Sequence, residues 1–280
     1  LKGKPFLLME STPSGVNWHP VNKTKRPGMH LLSSMQHIAH GSDSNLYFQW
    51  RKSRGSSEKF HGAVVDHDNS TENRVFQDVA EVGRLMEKLK TVKGKGKKSR
   101  VAILYDWENN WALDDAQGYA QATKRYPQTC QVHYRYFWER DIPVDVVTPN
   151  FDLSSYDLVI APMLYLVSEA NMEKLAEYTA AGGRLVGTYI TGVVNESDLT
   201  YINGWPAPLQ RVFGIKVKET DVYYPKDHNG IVMGDQNFTV HDYAALLEPS
   251  SAEVLACYTD DFYADEAAVT ANSYGAGRAY

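Results

Sequence analysis

Short apolar runs recur along this chain, and stretches with helical spacing follow them. Pro5–Met9, Val101–Tyr105, Val144–Val147, Leu158–Ala161 and Arg184–Thr188 are four or five residues long and nearly unbroken. Runs this short do not make helices. A strand with one wet face alternates apolar and polar residues, whereas a strand covered on both faces reads as a continuous apolar run. Sheets covered by helices on both faces are the parallel ones, so the pattern predicts an α/β chain with parallel strands.

The first of these strands, expected to be buried on both faces, stops at Glu10. Ser11-Thr-Pro-Ser-Gly15 then opens a long polar loop that reaches residue 27. Met29 to His40 has helical spacing, with Met29, Leu32, Met35, Gln36 and Ala39 on one side and Gly41 as its stop. Leu46–Trp50 reads as an aromatic strand and 51–60 as a polar loop. Thr71 is placed to cap a helix whose apolar stripe is Val75, Val79, Val82, Leu85, Met86 and Leu89. Strand, loop and helix, twice over, make two βα units, whereas a closed (β/α)8 barrel needs eight.

Residues 88–100 are basic and contain Gly94 and Gly96. A phosphate loop follows a strand, whereas these glycines precede one, so the stretch reads as a solvated linker. The expected domains are therefore 1–95 and 96–280. After the linker, strands alternate with helices, including Ser168–Ala181 ended by Gly182-Gly183, which predicts a doubly wound, mostly parallel sheet. Beyond Ile215 the chain reads as shorter strands and loops. Ser273–Tyr280 reads as a turn entering a strand.

A net charge of −5 argues against a general nucleic-acid binder. No apolar run is long enough to span a bilayer, and no signal peptide is visible, so no membrane partner and a cytoplasmic location are expected. Cys130 and Cys257 are the only cysteines. They form neither a disulfide framework nor a zinc motif, and no G-x-G-x-x-G follows the first strand of the second domain. No cofactor and no metal are expected. His37 with His40, or His61 with Asp66 and His67, lack a third convergent ligand set.

Catalytic groups of a parallel barrel sit at the carboxyl ends of its strands. Glu10 has that position, although a surface glutamate ending a strand would look the same. Trp18 and His19 follow in the next loop, Trp50 and Arg51 end the next strand, and Glu58 and His61 lie beyond it. Indoles stack on the apolar face of a sugar ring, while a carboxylate and an imidazole bond its hydroxyls. Taken singly, each tryptophan is more readily read as core packing than as a sugar contact.

Two long runs carry a specific likeness. Lys4-Pro-Phe-Leu-Leu-Met-Glu10-Ser-Thr-Pro-Ser-Gly-Val-Asn-Trp18 resembles the nucleophile segment of the glycoside hydrolase family 42 β-galactosidases. Tyr47-Phe-Gln-Trp-Arg-Lys-Ser-Arg-Gly-Ser-Ser-Glu58-Lys-Phe-His61-Gly-Ala-Val-Val-Asp66-His67 resembles the segment at that family's eighth strand. From Arg100 onward the chain resembles the family's second domain. The resemblance implies that 1–95 is the C-terminal portion of a (β/α)8 TIM barrel. It implies that 96–280 is a class I glutamine amidotransferase-like trimerisation domain, so a homotrimer is expected. The comparable turn, Tyr189-Ile-Thr-Gly192, has no nucleophilic cysteine, and the aromatic Tyr134–Glu139 offers either a trimer contact or ordinary core.

By the same resemblance, Glu10 is the nucleophile of a retaining reaction on β-galactosides, and Trp18, Glu58 and His61 line the galactose subsite. The acid/base implied is a Glu after an Asn at the end of the fourth strand. The Asn195-Glu196 pair lies in the second domain and does not fit. With Leu1 rather than Met first, the chain is expected to be a fragment of a longer polypeptide. If the polypeptide does begin there, a non-enzymatic oligomerisation or sugar-binding module is the alternative. The fragment by itself is expected to be inactive, for want of six βα units and the acid/base. Turnover of a nitrophenyl galactoside by the purified fragment, lost on Glu10→Gln, is the result that contradicts this.

Overall fold

The computed structural model describes residues 4–120 and 124–280. Contacts divide the chain into two compact units, Leu1–Lys97 and Lys98–Tyr280.

The first unit runs β1 (Phe6–Ser11), α1 (Met29–Ala39), β2 (Ser42–Tyr47) and α2 (Arg74–Lys88). β1 and β2 pair in parallel, Phe6 opposite Ser42 and Leu8 opposite Asn45. The burial expected of β1 on both faces is not observed. Leu7 is 54% and Met9 70% exposed, because β2 is its one strand partner among the described residues.

The second strand also differs from expectation. It begins at Ser42 and ends at Tyr47, before Phe48 and Trp50. Its buried side chains are polar, Ser42 and Asn45, and hydrogen bonding makes that burial tolerable. α1 follows suit: His30 and Ser34 are buried, whereas Met29 and Leu32 of the predicted stripe are exposed. Gly41 ends α1 as predicted, with φ 96°. α2 is capped by Asn73, whose side chain accepts from Phe76 N, rather than by Thr71. Its stripe packs as predicted, with Val82 fully buried and the rest half-buried.

In the second unit, β3 (Val101–Leu104), β4 (Val144–Val147), β5 (Leu158–Ala161), β6 (Arg184–Gly187) and β13 (Gly277–Ala279) are parallel, in the order β4-β3-β5-β6-β13. Successive side chains of a strand point to opposite faces. Ala102, Leu104, Val159, Ala161 and Leu185 accordingly pack with α5 (Glu169–Ala180), capped by Ser168. Val101, Ile103 and Ile160 pack on the other face with α3 (Trp107–Asp115) and α4 (Tyr126–Trp138). Covered on both sides, β3 is buried at all four positions.

Beyond Gly214 the strands are longer than expected. β7 (Ile215–Val222) and β12 (Ala267–Tyr274) have eight residues each. With β8 (Asn229–Met233), β9 (Gln236–Val240), β10 (Tyr243–Pro249) and β11 (Glu253–Tyr258) they form an antiparallel extension. β13 joins the two parts, antiparallel to β12 and parallel to β6. Among the described residues no helix is long and apolar enough to cross a membrane.

Asn109 of α3 is fully buried and ties the helix to the loop after β5. Its Nδ2 donates to Met163 O at 3.1 Å, and its Oδ1 accepts from Leu166 N at 2.8 Å. Asn109→Ala leaves both backbone groups unpaired in the core, so stability should fall by about 2–4 kcal/mol. An unchanged urea midpoint for the second unit contradicts this.

Candidate active site

The two loops that leave the carboxyl ends of β1 and β2 meet there. The loop after β1 closes on itself, with Lys25 N donating to Ser14 O at 2.8 Å and the Lys25 ammonium to Thr12 O at 2.5 Å. The backbone after β2 continues beside β1, with Phe48 N donating to Ser11 O at 3.2 Å. Residues 49–52 then pair with 62–65: Val64 N donates to Gln49 O at 2.9 Å, Val65 N to Trp50 O at 2.7 Å and Lys52 N to Val65 O at 2.9 Å. Gly62 N donates to Gly15 O at 2.8 Å. A Cβ on Gly62 would lie 2.5 Å from Ser14 Oγ and 2.6 Å from Gly15 O, so only glycine permits this approach. Asn17 Nδ2 donates to Ser57 O, and Gln49 Nε2 to Glu58 O at 3.4 Å.

Trp18, Glu58 and His61 lie on these stitched loops, and Glu10 lies at the carboxyl end of β1, from which the first of them leaves. Glu10, next to last in β1, is exposed, and its carboxylate has no hydrogen bond or ion pair among the described residues. Trp18 is 67% exposed, its ring 4.1 Å from that of His19. Glu58 lies in the short 3-10 turn Ser57–Phe60, half-buried, with a buried Oε2 that has no hydrogen-bond partner among the described residues. His61 follows at 3% exposure, edge-on to Phe48 at 5.0 Å.

A carbonyl oxygen only accepts. His61 Nδ1, 3.0 Å from Gly62 O, therefore carries the proton of the neutral ring and leaves Nε2 as an acceptor. The fold brings Glu58 and His61 together, with His61 N donating to Glu58 O at 3.1 Å. It ties in Trp18 through Asn17, its neighbour. Glu10 is linked to the second loop through its neighbour Ser11, whose O accepts from Phe48 N, and among the described residues it has no hydrogen bond to the other three.

Comparison with known proteins matches these residues to one family. Residues 1–89 match the family described as beta-galactosidase, and residues 99–280 match the beta-galactosidase trimerisation domain. The chain belongs to the glycoside hydrolase family 42 β-galactosidases. It is 62% identical to beta-galactosidase GanA of Bacillus subtilis (strain 168), over 100% of this chain and 42% of that protein. A catalytic mutant of Gan42B, a GH42 beta-galactosidase from G. stearothermophilus, superposes with TM-score 0.97 at 61% identity, over 100% of this chain and 41% of that one. The cold-adapted beta-galactosidase of Rahnella sp. R3 gives 0.95 at 49% identity, over 100% and 42%. The chain thus spans about 42% of the length of the GanA relative.

Three groups at this candidate site carry no decisive signal in the sequence: Asn17, Gly62 and the Lys52–Asp66 pair. Lys52 Nζ lies 3.1 Å from both Asp66 oxygens. Burial would raise the Asp66 carboxyl, but the His67 N–H and the Lys52 ammonium outweigh it and hold the group below its usual value. Beside them Arg51, Arg54, His67 and Asn69 complete the lining of a cleft of about 470 Å³. Among the described residues no three His, Cys, Asp or Glu side chains converge as a metal would require. His67 Nε2 is engaged by Ser53 O at 2.8 Å, and His37 Nδ1 by Ser33 O at 2.6 Å.

In the second unit, the turn after β6 holds Ile190 at φ 59°, a left-handed conformation that β-branched residues rarely adopt. Ile190 is 6% exposed. Neither thiol is near this position in the chain: Cys130 is on α4, where burial pushes it up to about 12, and Cys257 is on β11.

Between α1 and β2, the fully buried His30 has Nε2 3.1 Å from Tyr47 Oη. Asn45 Nδ2 donates to the same oxygen at 2.9 Å and to Ser34 Oγ at 3.0 Å. Burial, aided by the Lys25 charge and opposed by Asp78, pushes His30 down to about 4. The unfolded chain takes up this proton near 6.5 and the folded one only near 4, so stability falls as pH drops through that window. The melting temperature of the first unit should fall between those values, and His30→Gln should flatten the fall. An equally steep fall in the variant shows that another group is responsible.

Proposed function

We propose that this chain is part of a retaining β-galactosidase and carries its nucleophile, Glu10. On this reading residues 1–95 are the last βα units of the catalytic (β/α)8 TIM barrel, and 96–280 are an amidotransferase-like trimerisation domain. The enzyme is a cytoplasmic homotrimer. The observation that carries the reading is the meeting of the two loops that leave β1 and β2, which carry Trp18, Glu58 and His61, with Glu10 at the carboxyl end of β1. The exposed apolar side chains of β1 also suit a strand that other barrel elements cover.

Glu10, which has no ion pair among the described residues, attacks the anomeric carbon of galactose and forms a covalent galactosyl-enzyme while the leaving oxygen departs. The carboxylic acid that protonates that oxygen, and later activates water, stands about 5–5.5 Å from the nucleophile in retaining enzymes. Asn195-Glu196 does not supply it. Asn195 Oδ1 accepts from Ser197 N and Leu199 N, each at 3.0 Å, and so folds a turn of the second unit. The acid/base then belongs to the part of the relatives' length that this chain does not span. Trp18 offers an indole face to the sugar ring. Glu58 Oε2 and His61 Nε2 accept from its hydroxyls, which gives the unpartnered Glu58 oxygen its bond.

The second unit supports binding to other copies rather than amide chemistry. An amidotransferase of this fold needs a thiolate on a tight strand-to-helix turn, and here Ile190 occupies the turn.

In the full-length enzyme, Glu10→Gln should keep substrate affinity and lower turnover by several orders of magnitude. A 2-deoxy-2-fluorogalactoside should label the peptide that carries Glu10. Near-normal turnover in the variant, or a label on another carboxylate, rules the assignment out.

A further inference from the structure

α3 presents two different faces. Asn109, Asn110, Ala112 and Leu113 are buried, whereas Trp107 and Trp111, one turn apart, are 60% and 62% exposed. Their ring centroids are 6.3 Å apart, and Tyr105 packs edge-on against Trp107 at 5.4 Å. An aromatic side chain brings about 150–250 Å² to a core or an interface, so two adjacent indoles in water leave a large driving force unused. Tryptophan is enriched at the energetic centres of protein interfaces.

We propose that this face of α3 is a contact between copies of this chain, packed against the end of α4 in the next copy. The inference rests on the trimeric reading above. A three-fold ring is a head-to-tail contact, so each copy needs two different complementary faces. α3 supplies an aromatic face with exposed Glu108, Asp114 and Asp115 and no basic residue. The exposed end of α4 supplies the counterpart. Val132, Tyr136 and Trp138 are 68%, 55% and 57% exposed beside Arg135, and the Arg140 guanidinium lies 3.9 Å from the Tyr136 ring. Glu139 is the one acid between residues 132 and 140. Guanidinium groups pair with the acids of α3 and stack on its indoles, so the two faces match in charge and in shape of contact.

The test is sedimentation of the full-length enzyme across concentrations, with W107E/W111E and R135E/R140E as double variants. All four positions are exposed, so far-UV circular dichroism should be unchanged. A wild-type trimer with both variants monomeric at the same concentration supports the contact. A wild-type-like trimer in either variant overturns it. A wild-type enzyme that stays monomeric throughout overturns the trimeric reading, and the contact with it. Indole fluorescence gives a readout without charge changes: the wild-type emission should shift to the red on dilution through dissociation, and the shift should shrink in W107F/W111F. An equal shift in both overturns the contact.

Discussion

Strands that run parallel all end on the same side, and the loops that leave those ends are forced into one neighbourhood. In the first unit, the ladder between β1 and β2 sets the register, Ser11 opposite Tyr47, from which the later contacts follow. Ser11 O can then meet Phe48 N, Gly62 can meet Gly15, and Asn17 can meet Ser57. Without the parallel ladder, Glu10 and Glu58 would leave on opposite sides. In the second unit the same constraint places the strained turn at Ile190 at the carboxyl edge of β6, beside the loop after β5, where Thr188 Oγ1 accepts from Met163 N at 2.7 Å.

Buried polar groups provide much of the specificity of both units. His30, Ser34, Asn45 and Tyr47 join α1 to β2 through hydrogen bonds, where an apolar interface would tolerate more than one register. Asn109 does the same for α3 and the loop after β5. β13 has a comparable role on the backbone. Its hydrogen bonds to β6 and β12 join a parallel sheet to an antiparallel extension, and so give the last residues of the chain a central place.

Much of the fold was legible because it follows from local rules. Continuous apolar runs marked β3, β5 and β6, and Gly41 marked the end of α1. The misread elements are those where tertiary packing overrides pattern. The aromatic Leu46–Trp50 reads as a strand by propensity, yet β2 is the polar Ser42–Tyr47, because satisfied polar groups can be buried. α1 packs through His30 and Ser34 rather than its Met and Leu side for the same reason. The cap moved from Thr71 to Asn73, a shift of two residues that composition does not resolve.

By itself, the sequence determined the α/β class, the order of strands and helices, and the residue types of the candidate site. It could place Glu10 after an apolar run and Glu58 and His61 beyond the next strand, because those are facts of chain order. Tertiary structure decided which loops touch, that only a glycine fits at position 62, and that two tryptophans of α3 face water. Those outcomes depend on contacts between residues far apart in the chain, and one-dimensional patterns do not encode such contacts.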